Sequence, residues 1–191
     1  MTQQIETTEL VTGTWSIDPS HSEVGFSVRH LMSKVKGRFT EFTGSVSTTS
    51  ENPVDSRVEV TITSASITTG NEQRDGHLKS NDFFSVETTP TMTFESTEII
   101  DRDGELVARG NLTINDVTKP IDLTLDYLGV GTDPWGGTRA GFEGTTTISR
   151  KEWGVDFNIP LEGDKLMIGD KVNVVIAVEA VHQAAEVSSA A

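Results

Sequence analysis

Asp18, His21 and Ser22 lie close together in the chain, and His30 with Asp82 offers a second imidazole and carboxylate. Those residue types serve general acid–base or nucleophilic work in a hydrolase or isomerase. The chemistry depends on spatial geometry, and the chain carries no GxSxG nucleophile elbow. Asp and Ser side chains habitually bond nearby backbone, so Asp18–His21–Ser22 reads as a hydrogen-bonded turn, and no residue is assigned a catalytic role. The four histidines, His21, His30, His77 and His182, are widely spaced and there is no cysteine. No ligand pair at useful local spacing exists, so no metal and no cofactor is assigned. A different chemistry is offered by Arg29, His30, Lys34, Lys36 and Arg38, a basic stretch with no Asp or Glu within it, which reads as lysines that guard an edge strand or as a rim that suits a small anionic group.

The elements that would position these groups are strands. From Trp15 to His30 a turn cluster at Asp18–Pro19–Ser20 gives way to strict alternation, with Val24, Phe26, Val28 and His30 on one face and Glu23, Gly25, Ser27 and Arg29 on the other. Strand-like runs follow at 13–17, 23–30, 34–47, 56–67, 91–100, 106–114 and 121–130, then the alternating AGFEGTTTIS at 140–149, with KVNVVIAVEAV over 171–181 as the closing strand. Segment 69–87 loses the alternation and reads as one or two short helices, with Phe83 and Phe84 plugging one end of a barrel. The stretch GVGTDPWGGTRAG reads as a loop beside the barrel mouth, and 155–167 as a surface crossing. The expected architecture is all-β: a closed antiparallel barrel of about eight strands, spanning 13–182 as one domain between a flexible leader, 1–12, and a flexible tail, 183–191.

With 15 Lys and Arg against 29 Asp and Glu, the net charge of −14 repels phosphate backbones, so nucleic acid is not an expected partner. No run approaches the length of a membrane span and the N-terminus lacks a signal-peptide pattern, so the chain reads as soluble and cytoplasmic. Absence of cysteine fits a reducing compartment.

The blocks GTWSIDPSHSEVGFSVRHL, GRFTEFTGSV, RDGHLKSNDFFSVETTPTMTFES, GNLTINDVTKPIDL and AGFEGTTTISRKEWGV, in that order, closely resemble the YceI-like family over roughly 13–181. The resemblance implies a lipocalin-like barrel with an interior cavity for a polyisoprenoid, quinone-like lipid or other long-chain amphiphile. It also implies a non-catalytic binding, transport or sequestering role. Many family members are exported, and this chain departs from them in its N-terminus.

Alternation assigns the interior wall to Val24, Phe26, Val28, Phe39, Phe42, Val58, Val60, Ile62, Phe94, Leu112, Ile114, Leu123, Leu125, Phe142, Val174, Ile176 and Val178. The same residues would fill a solid barrel, which leaves a structural or interaction module, such as a homodimer, as the other reading. Candidates for holding a carboxylate or phosphate headgroup are His30, Arg38, Arg74, His77 and Lys79.

Overall fold

Alternation of β-branched and aromatic residues with polar ones builds long strands, and the fold disposes of their edges by closing on itself. The computed structural model describes residues 10–163 and 165–183. Its strands are β1 (Gly13–Ile17), β2 (Glu23–His30), β3 (Ser33–Phe39), β4 (Phe42–Thr48), β5 (Ser56–Thr63), β6 (Ile67–Thr68), β7 (Thr91–Arg102), β8 (Glu105–Ile114), β9 (Val117–Thr132), β10 (Thr138–Ser149) and β11 (Ile168–His182). The one α-helix among the described residues is α1 (Glu72–Lys79).

Eight strands form the closed antiparallel ring in the order β1-β4-β5-β7-β8-β9-β10-β11, with β11 returning to β1. β11 is long enough to serve two neighbours on one side: Ala180 to His182 pair with β1, and residues from Ile168 to Ala177 pair with β2. The hairpin β2–β3 extends the sheet from there, and β6 adds to β3 only at Arg38 and Phe39.

Several expected boundaries shift for local reasons. The run 34–47 breaks at Thr40 and Glu41 into β3 and β4, and 56–67 breaks at a turn of 3-10 helix, Ser64–Ser66. β9 begins at Val117, with Pro120 accommodated opposite Asn111. The leader placed at 1–12 ends earlier: Leu10 is buried, and Val11 accepts hydrogen bonds from Trp15 Nε1 and Thr48 Oγ1. Gln183 donates its backbone N–H to Thr14, which ties down the first residue of the expected tail. The remainder of both expected terminal segments lies outside the described residues.

The two ends of the barrel differ. At one end Leu10, Trp15, Val46, Val130, Ala140 and Ala180 pack into a solid cluster, with the His182 ring edge-on to Trp15 at 4.9 Å. The Gly-rich β9–β10 hairpin sits at this packed end and not beside the cavity, because Arg139 pairs in register with Val181 at the far end of β11 from Ile168. There Arg139 joins three carboxylates: Asp133 (2.8 Å), Asp18 (2.9 Å) and Glu179. Bonded by Arg139 first and His21 second, Asp18 titrates well below the ordinary carboxylate range.

The other end is covered by α1 and by segment 150–163. Asn71 caps α1 by accepting from Arg74 N–H at 3.0 Å, and Asp75 on the next turn accepts from Thr69 N–H at 2.9 Å. Downstream, Asn115 Nδ2 holds the carbonyl of Phe83 at 2.6 Å, which fixes Phe83 in the core.

Candidate functional site

At the covered end the barrel is hollow. A cavity of about 380 Å³ runs between the inward faces of the strands, and its wall is almost wholly apolar. Val24, Phe26, Val28, Phe39, Phe42, Val60, Ile62, Phe94, Leu112, Ile114, Leu123, Val174, Ile176 and Val178 all line it. Val24, Phe26, Val60, Leu112, Val174 and Val178 face inward yet are only partly buried, because their surface opens onto the lumen. Leu125, Phe142 and Val58 line instead a smaller void of about 80 Å³, whose wall shares Ile17, Val60, Phe94, Leu123, Ile176 and Val178 with the larger one.

Glycines in the wall set its thickness. Phe26 lies opposite Gly37 in the β2–β3 pairing, and a Cβ on Gly37 would stand 2.8 Å from Phe26 Cε1 and closer still to Cζ. Phe94 lies against Gly110 in the same way. Each ring therefore lies along the neighbouring backbone and leaves the lumen open. Gly37 and Gly110 are in this sense wall residues, though they present no side chain.

Other lining residues escape an alternation argument because they lie outside the strands. Leu78, Phe83 and Phe84 come from α1 and its exit, so the expected plug supplies part of the wall. Trp153, Val155, Phe157 and Ile159 come from the segment after β10. That segment therefore does more than cross the surface: Trp153 is 1% exposed and donates Nε1–H to the carbonyl of Leu112 at 3.0 Å. Ile159 lines the cavity while remaining 46% exposed, which marks the mouth.

The polar lining is sparse: His30, Thr69, Arg74, His77, Thr146 and Arg150. Arg74 is anchored to Thr69 through Nε (2.7 Å) and one terminal nitrogen (3.0 Å); its charge acts on the neighbouring Asp75, though it makes no direct ion pair among the described residues. His77 pairs through Nε2 with Asp82 at 2.8 Å, and its ring stands edge-on to Phe83 and Phe157. Arg150 is buried, with Nε bonded to the Gly169 carbonyl (2.9 Å) and one terminal nitrogen to that of Val155 (2.6 Å). Burial pushes its pKa down, against the pull of Asp170 and Asp156, and its second terminal nitrogen is buried without a partner. Of the five headgroup candidates, His30, Arg74 and His77 line the cavity; Arg38 is exposed and 3.8 Å from Glu23, and Lys79 lies outside the lining.

The residues weighed for catalysis are otherwise engaged. His21 Nδ1 lies 2.8 Å from Asp18, as a turn predicts, but Ser22 Oγ faces the backbone of Glu179. Asp82 partners His77 and not His30. Asp18, His21 and Glu179 bring ligand-type atoms together, at a place where Arg139 already pairs with both carboxylates. Among the described residues no helix is long and apolar enough to cross a membrane.

The sequence profile of the YceI-like domain matches residues 15–180. A UPF0312 protein of Pseudomonas paraeruginosa is 40% identical over 164 residues, which cover 85% of this chain and 83% of that one. The structure of a Campylobacter jejuni YceI protein superposes with a TM-score of 0.69 at 31% identity, covering 87% of this chain and 96% of that one. A polyisoprenoid-binding domain from Saccharophagus degradans has the same fold, with a TM-score of 0.67 at 16% identity over 88% of this chain and 98% of that one.

Proposed function

This chain belongs to the YceI-like family, and on that premise we propose that it is a non-catalytic binder of one long apolar chain with a polar head, an isoprenoid, quinone-like or similar amphiphile, which it carries or sequesters inside the barrel. The observation that carries the reading is the cavity of about 380 Å³ itself. At ~24 cal/mol per Å³, an unfilled apolar void of that size forgoes about 9 kcal/mol of packing, comparable to the whole net stability of a domain. A fold that keeps such a void with glycines beneath Phe26 and Phe94 is built to be filled by something else.

The volume corresponds to about a dozen waters at ~30 Å³ each, and an apolar wall holds water poorly. A chain of about a dozen methylenes would gain ~10 kcal/mol gross, opposed by the ordering of the chain and the loss of its free motion. Affinity thus comes from the tail. Orientation comes from the few polar groups: Thr69 and Arg74 before and on α1, His77 one turn later, and His30 at the end of β2. The unengaged terminal nitrogen of Arg74 suits a carboxylate, phosphate or carbonyl oxygen, with the tail running toward Phe94 and Ile176.

Native mass spectrometry of the purified protein, before and after organic extraction and re-addition of a polyprenyl phosphate, a long-chain quinone and a fatty acid, tests this. A stoichiometric adduct abolished by Phe26→Trp and weakened by Arg74→Gln is the expected result. A protein that stays bare with all three lipids overturns the reading.

A further inference from the structure

We propose that the tip of the β2–β3 hairpin and the adjoining loop residues, 159–163 and 165–167, form a docking surface for an anionic lipid bilayer. The surface begins at a two-residue turn whose composition defies its geometry. Leu31 has φ of 52°, the left-handed region where a hairpin turn ordinarily places glycine or asparagine, and here it carries a branched apolar side chain. Beside it Met32 is fully exposed. Neither residue packs in the core clusters, so folding itself does not call for them.

The same apolar surface continues across the mouth of the cavity. Leu31 N–H donates to the carbonyl of Met167 at 2.9 Å, and Met167 N–H to that of Ile159 at 3.0 Å, which sets the hairpin tip against the loop. That loop exposes Ile159, Leu161 and Leu166. Five large apolar side chains are thus exposed on the hairpin tip and the loop bonded to it, and one of them, Ile159, also lines the cavity.

Charge selects the partner. On the outward face of the hairpin Arg29 stands directly opposite Lys34, and Lys36 follows two residues on. Like charges facing each other across a strand pair are unfavourable, and no carboxylate of the described residues lies within ion-pair distance of any of the three. In a chain of net charge −14, three unpaired cations beside an exposed Leu-Met tip orient that face toward an anionic, apolar-cored surface. The loop sequence opposes this with Glu162 and Asp164 against Lys165, a net single negative charge against the three cations of the hairpin. Docked this way, the cavity mouth faces the hydrocarbon from which an amphiphile would enter.

The test is flotation of the full chain with phosphatidylcholine vesicles, with and without phosphatidylglycerol and free of any candidate cargo, so that a failure to bind cargo leaves the result intact. Binding is expected only with phosphatidylglycerol, and it is expected to fall as salt screens the surface. Lys34→Gln with Lys36→Gln weakens it about 25-fold, at about fivefold per basic residue. Met32→Asp abolishes it without moving the melting temperature. Should the paired Gln variant aggregate by exposing the β3 edge, Arg29→Gln on β2 serves in its place. Equal binding to neutral vesicles, no binding, or a Met32→Asp variant that changes only the oligomeric state would each overturn the proposal, the last by showing that the patch is covered by a second copy.

Discussion

Gly37→Ala is expected to narrow the cavity with little effect on the barrel. The new Cβ would lie 2.8 Å from Phe26 Cε1 and 2.9 Å from the Thr69 methyl, both side-chain atoms. Carbon–carbon contact settles at about 3.5–4.0 Å and Phe26 Cζ lies closer still, so the ring must move about 1–1.5 Å, and the free direction is the lumen. A phenyl ring moved that far takes up about one to two methylenes of cavity, which at ~0.8 kcal/mol each lowers affinity for a lumen-filling chain about fourfold to 15-fold. Gly110→Ala is the control. Its Cβ meets the Glu95 carbonyl oxygen at 2.5 Å, and backbone cannot rotate away. Overpacking of that kind costs about 1–3 kcal/mol of stability. Thermal melts and titration with a fluorescent polyene chain read the two effects separately. If Gly37→Ala destabilises as much as Gly110→Ala while leaving affinity unchanged, the aromatic rings do not set the lumen and the reasoning is wrong.

Arg139→Met is expected to flatten the acid limb of stability: Asp18 and Asp133 have depressed pKa values in the fold, so they stabilise it above the usual carboxylate pKa and lose that contribution as pH falls below it. Melting temperatures between neutral pH and about pH 3 should drop steeply for the parent and less for the variant. Trp153→Ala, which deletes a buried indole and its bond to Leu112, should cost about 3–5 kcal/mol in urea unfolding; a loss under about 1 kcal/mol would mean that segment 150–157 is not part of the core. Arg74→Gln should discriminate cargo, weakening an acidic long-chain ligand at least about tenfold more than its neutral alcohol in parallel titrations, while a uniform loss would reduce Arg74 to a scaffold for Thr69.

Where one face is buried and the other wet, the strands were legible, since period-2 patterning is then forced. β1 and β2 fall at the residues alternation indicates, and the inward row of β2 lines the cavity. Alternation told inside from outside but not hollow from solid, because a wall residue and a core residue have the same chemistry. What separates the two is Gly37 opposite Phe26, and a glycine in a strand reads equally as a weak point. Leu125 and Phe142 obey the same pattern as Leu123 but face the smaller void, a difference of depth along the barrel that no periodicity carries. Trp153 and Phe157 were missed because aperiodic backbone gives no face assignment; the one signal was the concentration of large apolar residues in WGVDF. Arg38 and Arg74 look equivalent in the sequence, and only the placement of α1 over the mouth separates a lumen residue from an exposed one.

The contrast between a solid end and a hollow end divides labour along one set of strands. The last structure to open in hydrogen exchange should be the Trp15 belt with the Arg139 bridges, since local stability follows packed contacts. Residues around the lumen, by comparison, border empty space on one side and can be exchanged for others of similar volume at low cost. A barrel arranged so can change its cargo by drift at one end while the other end keeps the chain folded, so that loss of one specificity need not precede the gain of the next.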